Sequence, residues 1–375
     1  MKQTRFSRRQ FLMTLGLSVA AVPFVAKRFW PKGTQASALF LTASDDKAGN
    51  HYVSGFDAQG EKRFQLPTEL RGHGVMANPT YQHKALMFAR RPGTVLFEVN
   101  LQRGVLGQQV ASAKGRHFFG HGCFSHDGRY LYTTENDFIN GRGLVVVRDT
   151  FDYRIVNEFS SYGIGPHEIK ILSDGTTLVV ANGGIQTHPD TPRKKLNIPT
   201  MQPSLAYIDA QTGQLMDEYR LDNHKLSIRH LDVSEHDQVI AIMQYQGAKT
   251  DNVPLVAVHQ GEEQLHALMA DATTQPAMNQ YTASTCIDSS TGVAGVTCPR
   301  GNLVTFWDTR SRQFIKALKI KDAGGITLAR NGQFMVTTGR GEIHRISATS
   351  LSLDKSPLLL SDTRCDNHLS LALIG

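Results

Sequence analysis

HGCFSHDGRYLYTTEND, from His121 to Asp137, decides the fold. A short apolar run, Cys123-Phe124, ends at His126-Asp127-Gly128, where Asp followed by Gly suits the backbone of a tight turn. An alternating run, Tyr130 to Thr134, follows and stops at acidic and amide residues. Two β-rich runs joined by a Gly-containing turn read as a hairpin.

Working outward, the same unit recurs less tidily. Asp174-Gly175 and Asn331-Gly332 repeat the turn, and strands are expected on both sides of each. From Leu39 onward the chain shows short strands and no helical periodicity over 12 residues. Four strands repeat about every 45 to 50 residues, which indicates a propeller. The first group lacks an innermost strand, the seventh is legible only as three strands, and an unattached strand, His368 to Ile374, ends the chain. Asn367 to Ala372 resembles Gly120 to Ser125, so the last strand is expected to complete the first blade and remove an exposed edge. The expected fold is an all-β, seven-bladed propeller of four-stranded antiparallel blades, spanning residues 39–375.

Residues 1–38 read as an export signal. Ser7-Arg8-Arg9-Gln10-Phe11-Leu12-Met13 matches the twin-arginine pattern, Leu12 to Ala26 supplies a weakly apolar core, and Ala36-Ser37-Ala38 offers a small-residue cleavage site. The core is short for a membrane span and Pro23 interrupts it. Membrane contact is therefore expected only during export, and the mature protein is expected to be a periplasmic monomer. The leader carries seven of the 40 basic residues and none of the 33 acidic ones, so what remains is balanced. A neutral mature chain gives no case for nucleic acid. The four cysteines show neither staple nor zinc spacing, and no disulfide is predicted.

Candidate site residues cluster at one place in the repeat. His73, His121, His230 and His368 each stand four residues before Ala77, Ser125, Ser234 and Ala372, at the start of an expected innermost strand. His167-Glu168 stands slightly earlier in its blade, and Arg229 precedes His230. Imidazoles converging at a channel mouth suit a transition metal, here iron or copper, with His73, His121, His230 and His368 as ligands. The alternative for each is structural: in WD-type repeats a Gly-His pair at this point is held by hydrogen bonds inside the blade, and Gly72-His73 and Gly120-His121 fit that habit. The same face is expected to carry Glu135, Asp137, Gln244 and the long link from Asn182 through His188 to Ser204 as ligand-binding elements. No nucleophile elbow, His-Glu-x-x-His or phosphate loop appears, so the reading leans away from an enzyme.

The leader, the blades and the segments His121–Asp137, Pro166–Asn182 and Asn182–Ser204 together resemble a bacterial family of exported, twin-arginine-signal proteins with a YVTN- or WD-like seven-bladed propeller. Its most specific part here is Asn182-Gly183-Gly184-Ile185, His188-Pro189-Asp190, Lys195-Leu196-Asn197, Met201 and Pro203-Ser204. That family accompanies imelysin-type iron-uptake proteins, so the resemblance implies metal acquisition and periplasmic iron-uptake partners, and it carries over no catalytic residue. A looser resemblance, to propeller lactonases, rests on Pro166-His167-Glu168 and on His-Asp-Gly and Ser-Asp-Gly turns where that family has Pro-Asp-Gly. It implies a hydrolase using His or Glu at the same face.

Overall fold

Seven antiparallel sheets surround a central axis in the computed structural model, which describes residues 37–191 and 194–374. Apart from Ser37 and Ala38, the expected leader lies outside the described residues. The innermost strands are Gly72–Ala77, Arg116–Phe124, Pro166–Ile171, Leu226–Val233, Thr285–Asp288 and Ala323–Leu328, in blades 2 to 7, and Ser370–Ile374 in blade 1. The closing strand pairs with Ser37–Asp45, with Leu39 opposite Ala372, so the two ends of the chain share one sheet. The ring closes as the sequence indicates.

Burial follows distance from the axis, and this explains the sequence pattern. Second strands pack against neighbouring blades on both faces; every residue of Thr177–Asn182 is buried. Rim strands face solvent, as in Ile155–Ser160, where five of six residues are exposed. Strands covered on both faces read as continuous apolar runs rather than alternating ones. Six apolar clusters fill the spaces between blades.

Three differences from expectation bear on the site and on ring closure. The inner strand of blade 3 begins at Arg116 rather than Gly120, because Arg116–Phe118 pair with Asp137–Glu135 before the register slips. Blade 7 gains a fourth strand of two residues, Leu358–Leu359, too short to show a period. The closing strand begins at Ser370, leaving His368 two residues ahead of it.

The slip in blade 3 has counterparts. Register shifts fall between Gly72 and Val75, Phe118 and Gly122, Pro166 and Ile169, Ile228 and His230, and Ala323 and Ile326. A bulge leaves residues unpaired, bends the strand and re-aims its side chains. Here the bulges lie at one level of the axis, where the histidines are.

Candidate metal centre

Five imidazoles meet on the axis, one from each of blades 1 to 5. His73, His121 and His167 lie in bulged segments, His230 closes another, and His368 lies just before the closing strand. Glycines make the approach possible. A Cβ on Gly74 would lie 2.5 Å from the Gly120 carbonyl oxygen, and Gly120 holds φ +102° with the His73 ring against it. Gly74 and Gly120 thus let the inner strands of blades 2 and 3 crowd together, and the His73 imidazole bonds across blades, to Asp366, rather than within its own.

Ring centroids lie 4.4 Å apart for His73 and His368, 4.6 Å for His121 and His368, 4.5 Å for His167 and His230, and 4.9 Å for His121 and His167. Two triads, His73-His121-His368 and His121-His167-His230, hold candidate ligand atoms within 4.8 Å of one another. His121 belongs to both. The Nε2 atoms of His368 and His73 are 3.3 Å apart. Two ligands at metal–nitrogen bonds of about 2.0–2.1 Å in a tetrahedron would be separated by about 3.4 Å.

Carboxylates stand behind the imidazoles. Asp366 accepts from His73 Nδ1 at 3.0 Å and from Arg71 and Arg90 at 2.9 and 2.7 Å. Burial alone would raise its pKa; the His73 bond and the two guanidinium groups outweigh it and hold the carboxyl well below the usual carboxylate range. Ionised Asp366 fixes the Nδ1–H tautomer of His73 and turns the Nε2 lone pair toward the cluster. Glu168 lies 3.1 Å from His230 Nδ1 and accepts from the Leu231 N–H at 3.2 Å. Burial pushes Glu168 up. Burial is also the main cause that pushes His121, His167, His230 and His368 well below 6.5 and lowers His73, so all five are neutral near neutral pH. Neutral imidazole is the form that binds metals. Among the described residues His121 Nε2 and His167 Nδ1 are buried without a hydrogen-bond partner.

Below this cluster, on the side of the Asp127-Gly128 turn, lies a cavity of about 800 Å³. His121, Glu168 and His368 line its inner end, Lys170 and Asp232 its wall, and the exposed Pro79 and His126 its rim. Burial alone would lower Lys170, but Asp232, 3.5 Å away, and Glu168 outweigh it and raise the ammonium. Sequence reasoning put the working surface at the other end, with the long loop. It also missed Asp366, Lys170 and Asp232. Period two was the available signal for the last two: Lys170 follows Glu168, and Asp232 follows His230, on the same face of a strand.

The remaining sequence candidates lie elsewhere. Glu135 is fully buried inside blade 3, where Arg148 donates to it at 2.7 Å. Asp137 accepts from Asn140 and Arg142 in a turn. Asn182 donates to the Ser161 carbonyl at 2.8 Å, and Gln244 to the Thr282 carbonyl at 3.1 Å. His188 packs on Phe138 in the long loop, which Asn197 ties down through Gln186 and Gly184. All five serve the blades and the loop, not the imidazole cluster. Arg229 adjoins the cluster; it is buried and its pKa is pushed down to about 9, by burial first and then by Arg91. The four cysteines are buried free thiols, and none supplies a ligand to either triad.

Fold and site define a closed seven-bladed β-propeller with an axial imidazole cluster able to hold a metal ion. No curated protein matches the chain. The chain belongs to the family described as protein of unknown function DUF1513, whose profile matches residues 65–372. A solved chain of hydrazine synthase from Kuenenia stuttgartiensis is similar in fold, with a TM-score of 0.59 and 13% identity over 89% of this chain and 99% of that one. No helix among the described residues is long and apolar enough to cross a membrane.

Proposed function

We propose that the protein is a periplasmic binding protein that holds one transition-metal ion on the propeller axis, in the service of metal acquisition. The observation that carries this reading is the pair of buried imidazole nitrogens, His121 Nε2 and His167 Nδ1, unpartnered among three further neutral imidazoles. An unsatisfied buried polar atom costs about 1–3 kcal/mol, and a metal ion would satisfy both nitrogens. Nitrogen donors backed by carboxylates suit copper, zinc, nickel and iron, with affinity rising toward Cu²⁺. The twin-arginine pattern supports export, and the family resemblance supports iron as cargo and iron-uptake proteins as partners.

A second reading is a hydrolase. Glu168 favours it, because this carboxyl touches the imidazole cluster and also lines the cavity, where it could take a proton from water.

Calorimetric titration of metal-free protein with Cu²⁺, Zn²⁺ and Fe²⁺, beside metal analysis of protein isolated from the periplasm, tests both readings. One ion per chain is expected, with affinity falling at least about 100-fold in His121→Ala. Unchanged affinity in that variant for all three ions would overturn the metal reading. Hydrolysis of a sugar lactone, abolished in Glu168→Gln, would establish the second.

A further inference from the structure

On the loop side of the imidazole cluster two guanidinium groups, those of Arg229 and Arg91, carry buried nitrogens without a hydrogen-bond partner among the described residues. Arg229 is 8% exposed, and among the described residues neither its Nε nor its Nη1 has a hydrogen-bond partner. It lies in the bulge of the blade 5 inner strand, and its field is the strongest charged influence on His167. Gly183, at the start of the long loop, packs against it; a Cβ there would lie 3.0 Å from Nη1. The bases that act on it are Arg91 and Arg90. Arg91 has its own buried, unpartnered Nη1, whereas Arg90 is engaged by Asp366. From the long loop, Lys195 lies within reach of the fields of Arg229, Arg300 and Arg91, and it is exposed at the surface beside Gln246. Arg300 is stacked over the Tyr281 ring at 4.0 Å.

A guanidinium taken out of water without a counter-charge is strongly unfavourable, and like charges beside it add to the penalty. A bound anion removes both costs. We propose that Arg229, Arg91 and Lys195 form a binding site for a small oxyanion or carboxylate at the loop-side end of the imidazole cluster. Planar guanidinium groups recognise both classes through charge-assisted hydrogen bonds. Lys195, on a loop, supplies a contact at the open side. The proposal rests on the unpartnered buried nitrogens of Arg229 and Arg91, and it needs no metal.

Metal-free protein is titrated with inorganic phosphate and with malonate, against chloride, and followed by calorimetry and thermal unfolding. A saturable rise in Tm with phosphate alone assigns a tetrahedral oxyanion, and with malonate alone a carboxylate. Arg229→Gln is expected to raise the dissociation constant tenfold or more, and to unfold at a higher temperature than wild type when no anion is present. Lys195→Gln, a surface change that leaves folding intact, is expected to weaken binding several-fold. The absence of a saturable shift with either anion would overturn the proposal, as would equal affinities in wild type and both variants. Because no metal is present in the titration, failure of the metal reading leaves this result untouched.

Discussion

Blades 1 to 5 and blades 6 to 7 use the same position of the repeat in opposite ways. The first arc points an imidazole at the axis from every blade. The second places Ser284-Thr285 and Gly324-Gly325 there. At Gly325 a Cβ would come within 2.7 Å of the His368 carbonyl carbon and the Leu369 nitrogen, so the backbone that delivers His368 occupies the space a side chain would need. Thr297 links the silent blades, accepting from the Ser284 N–H at 3.0 Å and donating to the Gly324 carbonyl at 2.6 Å. One arc presents imidazoles to the axis and the other packs against the backbone that leads into the closing strand. The cluster is thus not a by-product of the repeat, which would have set the same residue in all seven blades.

Breaking the joint between the arcs has the largest expected effect. Deleting 370–375 removes the partner of Ser37–Leu41 and strips cover from Phe40 and Leu41. It also exposes an unpaired inner edge, which invites association. The truncated protein is expected to lose its cooperative unfolding transition, as followed by circular dichroism in urea. A sharp transition retained at wild-type midpoint would show that the seam contributes little.

Acidification separates the arcs without mutation. The five axial histidines have folded-state pKa values below 6.5, so as pH falls the unfolded chain takes up protons first. Their contribution to stability is complete above about 6.5 and declines as pH drops below it, by up to about 1.4 kcal/mol per histidine per pH unit. Asp366, held low, contributes above its unfolded value near 3.9 and loses that contribution only in stronger acid. Urea unfolding at pH 7.5, 6.5 and 5.5 should therefore show a loss of several kcal/mol, reduced in His368→Ala. Constant stability over that range would contradict the neutral cluster.

How much of this was legible follows from the same physics. The propeller was, because strands covered on both faces give apolar runs, and Asp-Gly and Asn-Gly turns set their period. Leu358–Leu359 was not, since two residues carry no pattern. The axial histidines were visible by register, yet residue type does not separate His121 from His117 on the same strand. His117 donates from Nδ1 to the Phe118 carbonyl and accepts from Asn136, both at 2.9 Å, which makes it a structural histidine of blade 3. The bulge between Phe118 and Gly122 sends its neighbour to the axis instead, and a bulge depends on tertiary pairing. Asp366 was hidden for a related reason: its partners His73, Arg71 and Arg90 are nearly 300 residues away in sequence.

A smaller effect is expected from Asp366→Asn. The amide can still accept from His73 but brings no charge, so the imidazole loses basicity and orientation. Carboxylates behind metal-bound histidines typically contribute 10- to 100-fold in affinity. Calorimetry should place this variant between wild type and His121→Ala. An affinity equal to wild type would mean that His73 is not a ligand and would confine the ion to the His121-His167-His230 triad.

The smallest expected effect lies where the arcs meet, at Gln244. Its side chain donates to the Thr282 carbonyl at 3.1 Å and so joins blade 5 to blade 6. Sequence position, at a strand end on the histidine side, made it a ligand candidate; the structure makes it a tie between blades. Gln244→Ala removes one neutral, half-buried hydrogen bond, which contributes about 1 kcal/mol. The Thr282 carbonyl then faces partial solvent, and water can replace the lost donor. A fall in Tm of a few degrees or less is expected, with metal affinity and stoichiometry unchanged. A tenfold loss of metal affinity in this variant would mean that the second arc takes part in binding, and that the division drawn between the arcs is one of residue type alone.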